Sequence, residues 1–376
     1  MLLRRAVGTA LACTLIVASC SSDETAQSTT SADNDEVLAG QAFPEQRCQS
    51  NRDAGTIRYL SGFDYAAAAS IVDVLVAKQK GYFDELCLDV EVTPSLSATN
   101  YALVGSGKAE MASGGSLSEL ADYVATNADA PLVTLAVEGQ TVIDTLIVKQ
   151  GYASTLADLR GTSIGVKAAL PVSLEAMLSS AGLVSGTDFT TTPVEGFDPL
   201  AHIAQPDIAA FAGYKSNEPG QLDRAGIPFT TFDPATAEIP GTFGILFGNT
   251  DFVAAHPTAA TDFVRAAMHG LADAMADPAG ASMIALDFID NNGNPKALSR
   301  DGEVFRWQTE SKLVLDSTPT GEPIGAPDTK SMGNVLSTYA DLGLFGGDAP
   351  DVERVYDESI IAGVYDDKNV VIWPAA

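Results

Sequence analysis

Hydrophobic and polar positions change period repeatedly after residue 55, and the changes predict alternating strands and helices. Thr56–Leu60 alternates as a strand. Ala66–Lys80 follows as a helix with Ile71, Val72, Leu75 and Val76 on one face, and Gly81 stands where a helix C-terminus favours a left-handed residue. Val90–Val92 reads as a strand. Ser97 opens a helix carrying Tyr101, Leu103 and Val104, and Glu110–Ala112 leads into Gly114, Gly115 and Ser116. Ser116 with Glu119 makes a capping box for the next helix. Val133–Val137 closes this first series.

Asp144–Lys149 reads as a strand leaving that unit. A second series then runs through Ser163–Val166 (strand), Val172–Ala181 (helix), Thr190–Val194 (strand), Ile208–Phe211 (strand), Pro219–Arg224 (helix) and Phe229–Phe232 (strand). Phe243–Phe247 is strongly apolar and returns to the first unit. The remainder is helical: Pro257–Met275, Ala279–Ile289, Gly302–Leu315, Ser331–Leu342 and Val352–Val364. Strands alternating with helices predict an α/β fold with parallel strands. Two lobes joined by two crossings leave a cleft between them, the usual place for a small ligand.

The N-terminus carries a different pattern. Arg4 and Arg5 precede an apolar run, Ala6–Ala18, too short for a permanent membrane span and suited to a secretory signal. Val17-Ala18-Ser19-Cys20 resembles the bacterial lipobox, which makes Cys20 the expected lipidation site. Ser21 to about Gln46 lacks apolar periodicity and reads as a flexible tether. The expected organisation is residues 1–19 signal, 20–50 anchored linker, 51–147 with 248–376 lobe I, and 148–247 lobe II. Of four cysteines, Cys13 leaves with the signal and Cys20 is lipidated. In an oxidising compartment the remaining Cys48 and Cys87 are expected to pair, with two separate buried thiols as the alternative.

Composition narrows the function. The 376 residues carry 21 Lys+Arg against 49 Asp+Glu, a formal charge of −28. Removing the signal takes away two Arg and no acid, so the mature charge is 19 − 49 = −30. Such acidity repels phosphate backbones and anionic headgroups, which excludes nucleic acid as a partner. Three scattered histidines leave little for metal chemistry, and no metal or cofactor is expected. At 46% hydrophobic residues the body can bury a sizeable core.

Four segments carry a specific resemblance. Lys80-Gly-Tyr-Phe-Asp-Glu-Leu-Cys-Leu-Asp-Val-Glu-Val, Val104-Gly-Ser-Gly-Lys-Ala-Glu-Met-Ala-Ser-Gly-Gly and Leu159-Arg-Gly-Thr-Ser-Ile-Gly-Val resemble periplasmic binding proteins for sulfonates, nitrate and thiamine pyrimidine precursors. Gly213-Tyr-Lys-Ser-Asn-Glu-Pro, with Leu222 and Gly226-Ile227-Pro228, is similar to the thiamine-precursor branch, which includes the yeast pyrimidine synthase. The resemblance implies the two-lobed periplasmic-binding-protein fold (type II), with a ligand cleft between the lobes. It also implies service to an ABC permease and its ATPase, as a monomer outside the cytoplasm. The sequence departs from the branch where Asp64-Tyr65 replaces Asp-Trp and no His follows at Ile71. The synthase's cysteine-rich motif has no counterpart either, which argues for binding without catalysis.

Candidate ligand residues follow from the loops after strands. Glu218 lies between a strand and a helix, with Pro219 favouring the first helical turn, and is expected to accept hydrogen bonds from a heterocycle. Asn217 is a weaker neighbour. Tyr65 offers a stacking face, and Asp64 orients the ligand or bonds its own turn. Gly114 and Gly115 permit close backbone approach, beside Ser116 at the helix start. Ser95, Ser97 and Gln140 lie in loops, and Lys167 follows a strand where it would meet a carboxylate or phosphate. No Gly-x-Ser-x-Gly elbow, phosphate loop or dinucleotide fingerprint occurs. The expected function is capture of a small nitrogen heterocycle such as a thiamine pyrimidine precursor. Riboflavin, a sulfonate, taurine or nitrate are alternative ligands. A pyrimidine synthase and a lipoprotein engaging only proteins are alternative classes.

Overall fold

The computed structural model describes residues 35–167, 169–196, 198–294, 298–343 and 345–375. The signal, Cys20 and the tether up to Asn34 lie outside the described residues. Among the described residues ten strands form in chain order: β1 (Thr56–Leu60), β2 (Asp89–Thr93), β3 (Met111–Gly114), β4 (Leu132–Gly139), β5 (Asp144–Lys149), β6 (Ser163–Val166), β7 (Thr190–Pro193), β8 (Ala210–Tyr214), β9 (Phe229–Phe232) and β10 (Phe243–Asn249). They build two five-stranded sheets, of order β2-β1-β3-β10-β4 and β7-β6-β8-β5-β9.

Both sheets are mixed, against the expectation of parallel strands. β1 is parallel to β2 and β3, and β6 to β7 and β8. β10 lies antiparallel between β3 and β4, and β5 antiparallel between β8 and β9. These two exceptions are the first strands after the chain changes sheet. Their direction is set by the crossing rather than by a βαβ helix. The crossings fall at residues 140–143 and 233–242, shortly before the 147 and 247 boundaries read from the sequence. Every residue of β10 is buried, in keeping with its apolar run, and the strand rejoins the first sheet as the sequence pattern led us to expect.

Helices Val72–Lys80 and Pro257–Ala276 pack on the first sheet, where Phe263 meets Tyr59 and Phe83 at ring separations of 5.8 and 5.2 Å. Trp307, fully buried in helix Arg300–Ser317, joins that core and donates Nε1–H to Ala274 O at 2.9 Å. A second apolar cluster runs through both sheets, with Val137 and Phe247 from one and Leu146 and Ile164 from the other.

Short helices at Tyr82–Glu85, Pro199–Ala204 and Thr250–Ala255 were not read from the sequence, and three other differences say more about the fold. Glu45–Asp53 is a helix that begins within the stretch read as linker and runs past its end at residue 50; its low apolar content gave no periodic signal, and its buried members are Cys48 and Asn51. The helix expected over 352–364 splits into Val352–Val355 and Glu358–Ala362, because Tyr356 takes an extended backbone and bridges to Thr134 in β4. The helix expected from Ala66 begins only at Val72. Carboxylates capture the N–H groups that precede it: Ala67 donates to Glu303 at 2.8 Å and Ala69 to Glu310 at 2.7 Å. Ser70, with φ of 58°, then turns the chain left-handed.

Cys48 and Cys87 form a disulfide across 39 residues, tying the first helix to the turn before β2. Closing a loop of that length stabilises by about 4 kcal/mol in the chain-entropy model. Reduction should therefore lower the unfolding free energy by about 2–5 kcal/mol in a urea titration. No change on reduction would mean that neighbouring bonds, such as Asn51 Nδ2 to Leu86 O at 2.8 Å, already hold this corner.

Candidate functional site

The two sheets enclose a cavity of about 380 Å³, within the roughly 300–1,000 Å³ typical of small-molecule sites. Both sheets contribute walls. Phe63, Ala68, Ala69, Ile71 and Gly114–Ser116 come from the first sheet's loops, and Ile143, Lys167 and Tyr214 from the second. Phe243, at the second crossing, and Arg306 and Glu310 of helix Arg300–Ser317 complete it. Phe243 takes its place because its cross-strand partner is Gly139; a Cβ there would lie 1.9 Å from the ring.

The cavity's two cations are already engaged by carboxylates. Lys167 Nζ lies 2.6 Å from Glu218 Oε1 and 5.8 Å from the Tyr214 ring centroid. Arg306 Nε lies 3.2 Å from Glu303 Oε2, its Nη2 donates to Asn217 Oδ1 at 3.3 Å, and its guanidinium covers the Phe63 ring at 5.7 Å. Burial works against the Arg306 charge, but Glu303 and Glu310 outweigh it and hold the guanidinium's pKa above its usual value. Glu310 bridges the two halves: Oε1 accepts from Ser216 Oγ at 2.6 Å and Oε2 from Ala69 N–H. Burial raises its pKa despite Arg306.

Two further carboxyls face this space from opposite sheets. Glu119, in helix Leu117–Thr126, is lifted to about 7 by burial, with Asp144 adding to the rise. Asp144, the first residue of β5, is lifted to about 6 by burial, although Ser173 Oγ donates to it and Lys215 pulls the other way. Among the described residues neither forms a salt bridge. A Cβ on Gly115 would lie 2.2 Å from Glu119 Oε2, so that glycine makes room for the carboxylate.

Of the residues singled out in the sequence, Ser97, Gly114, Gly115, Ser116, Lys167 and Asn217 line the cavity. Ser116 Oγ also caps its helix, accepting from Glu119 N–H at 3.2 Å. Five do not line it. Glu218 is fully buried, with Lys167 on one oxygen and Tyr214 N–H on the other at 2.7 Å. Burial pushes its pKa up, but Lys167 outweighs this and holds the carboxyl below the usual range. Tyr65 packs on Phe288 at 5.4 Å and donates to Val92 O. Asp64 accepts from Tyr65 N–H and Asn294 N–H at 2.8 and 2.7 Å, as a turn residue does. Ser95 Oγ bonds Asn100 Oδ1 at 2.6 Å, and Gln140 N–H donates to Ser317 Oγ at 3.0 Å.

Sequence reasoning missed Phe63, Arg306, Glu310 and Asp144, and saw Glu119 only as a cap. Glu303, Arg306 and Glu310 recur at helical spacing, but a charged stripe on a helix ordinarily reads as its solvated face. Nothing in the spacing marks this one as buried.

A model of the NMT1/THI5-like family matches residues 68–281, more than half of the chain. The chain belongs to that family. Over 138 residues it is 32% identical to the riboflavin-binding protein RibY of Chloroflexus aurantiacus, a match covering 36% of this chain and 39% of that relative. The chain thus aligns with about two fifths of that relative. A solved structure from Bordetella bronchiseptica RB50 superposes with a TM-score of 0.60 at 16% identity, over 81% of this chain and 95% of that one. The alkanesulfonate-binding protein SsuA of Xanthomonas axonopodis pv. citri, bound to MOPS, gives 0.59 at 13% identity over 80% and 98%. The aliphatic sulphonate binding protein SsuA of Escherichia coli gives 0.59 at 13% over 80% and 97%. The fold is therefore that of the periplasmic binding proteins, as the sequence resemblance implied.

Proposed function

We propose that this family member is the solute-binding component of an ABC importer, held outside the cytoplasm by a lipidated Cys20 and capturing a planar nitrogen heterocycle without chemical change. The observation that carries the reading is the cavity between the sheets, walled by Phe63, Tyr214 and Phe243, with Lys167 and Arg306 already neutralised. Aromatic walls suit a flat ring system. A sulfonate or nitrate wants an available cation or a ring of bare amides, and here displacing Glu218 or Glu303 from its partner would leave a buried charge unpaired. A thiamine pyrimidine precursor or a flavin fits this chemistry, and the similarity to a riboflavin-binding protein supports the flavin arm.

Closure on the solute stabilises whichever form binds it more tightly. A thermal-shift panel of aminopyrimidines, thiamine, riboflavin, taurine, alkanesulfonates and nitrate tests the reading. A heterocycle at 100 times its Kd should add about 2.7 kcal/mol of stability. Stabilisation by the anions alone would overturn the heterocycle assignment, and turnover of a candidate substrate would overturn the binding role.

A further inference from the structure

Glu119 and Asp144 reach one cavity from different sheets, and the groups packed around them leave their charge uncompensated. Tyr101 Oη approaches Glu119 Oε2 at 3.4 Å, and Asp122 lies on Glu119's own helix. Tyr214 of β8 and Tyr339 of helix Thr329–Asp341 feel both carboxylates. Asp144 faces Ser173 and Glu218, and the cation that acts on it, Lys215, pairs with Asp233 at 2.8 Å and donates to Val142 O. Lys167 pairs with Glu218 at 2.6 Å. Bringing the sheets together around this space therefore places two acids near each other with no dedicated counter-charge, an arrangement that opposes their joint ionisation unless something between them donates.

We propose that Glu119 and Asp144 are the specificity-determining pair of the cavity, accepting hydrogen bonds or positive charge from the solute and so selecting nitrogen bases and other donor-rich solutes over anions. The inference rests on the importer reading and deepens it. A solute carrying N–H or O–H donors satisfies both carboxylates at once, whereas an anion adds a third negative charge. The pair also links capture to protons. A donor stabilises the ionised carboxyls, so affinity is full above the pKa values of the empty site and falls as pH drops through about 7 and about 6.

Titration calorimetry of the full chain with three probes tests this: 4-amino-5-hydroxymethyl-2-methylpyrimidine, riboflavin and ethanesulfonate. Glu119→Gln and Asp144→Asn are each expected to weaken a donor probe by about 10–100-fold, the loss of a hydrogen bond to a charged group. Ethanesulfonate binding should not weaken in either variant. Riboflavin, whose charge is constant between pH 5 and 8, should bind the wild type less tightly below pH 6 and show a flatter profile in both variants. A donor probe that binds wild type and variants alike overturns the inference and leaves the importer reading standing. Binding of ethanesulfonate alone overturns it with the importer role still intact. Failure of every probe on the wild type defeats the importer reading and the inference with it. Circular dichroism of each variant separates lost recognition from lost folding.

Discussion

Arg306→Ala is expected to lower the unfolding free energy by about 3–5 kcal/mol, the usual consequence of removing one partner from a buried ion pair. Arg306 is 5% exposed, and Glu303 and Glu310 beside it are 1% and 4% exposed. Without the guanidinium both carboxylates stay buried, and Asn217 Oδ1 loses a donor. The sign of the pH dependence follows. Burial already raises the folded pKa of Glu310, with Arg306 opposing that rise. Removing Arg306 raises it further, so the deficit should be small in acid, grow as pH rises from the present folded value toward the new one, and level off above it. Because Glu310 also links Ser216 to Ala69, the variant should loosen the junction between the sheets and blunt stabilisation by any solute. Arg306→Lys keeps the charge but loses the forked geometry, and an intermediate loss is expected. A deficit under about 1 kcal/mol would mean that protonated carboxyls or water compensate the missing cation.

The strands of this fold were legible because their signal is local. Thr56–Leu60 and Asp144–Lys149 carry their pattern in five or six residues, and both form as expected. The departure of β5 from the first unit and the return of β10 to it were legible, but strand direction was not, since both owe it to crossings set by packing elsewhere. The same contrast explains the helix expected from Ala66. Its apolar face continues unbroken through Ala66–Ile71, but Glu303 and Glu310, more than 230 residues away in sequence, take the N–H groups that would start it. Helical pattern yields there to buried carboxylates that no local window includes.

The site divides along the same line. Gly114, Gly115 and Ser116 were readable because a strand ending in glycines before a cap is a local motif, and they line the cavity. Glu218 was readable as unusual near a helix N-cap, yet sequence could not say what it meets. It meets Lys167, another residue singled out, so two separate candidates prove to be one ion pair. Asp144 opens a strand and Glu119 completes a cap, and those ordinary local roles hid both. Their nearness depends on how two sheets face each other, which no spacing within one element encodes.

Glu138→Gln is expected to stabilise the protein at pH 8 and to flatten its pH–stability profile. Glu138, in β4, and Asp73, in helix Val72–Lys80, are both fully buried. Among the described residues none of their four oxygens has a hydrogen-bond partner at ordinary distance, and neither acid forms a salt bridge. The backbone N–H groups of Val74 and Ser70 only partly oppose the rise in their pKa values. Two acids so placed supply their own donor by keeping a proton between them. Burial lifts Asp73 to about 7 from an ordinary 3.8, and burial together with Asp73 lifts Glu138 well above its usual value. Tyr59, Tyr365 and Glu310 face the pair and offer no positive charge. Both folded pKa values lie above the unfolded ones, so this contribution is fully present below about pH 4 and is lost as pH rises through 7. At 1.36 kcal/mol per unit the Asp73 shift alone corresponds to about 4 kcal/mol between acid and alkaline limits. Glutamine keeps an N–H donor for Asp73 without an ionisable proton, which removes one of the two penalties. Urea titrations at pH 5, 6.5 and 8 decide the matter. A wild-type stability that stays flat or rises over that interval would show that the buried pair is compensated, and the shared-proton account would fall. Glu138 lies one residue from Gly139, whose bare backbone admits Phe243 to the cavity, and Asp73 sits in the first turn of the helix that follows Ser70. The pair's protonation state thus bears on the same wall that the solute would touch.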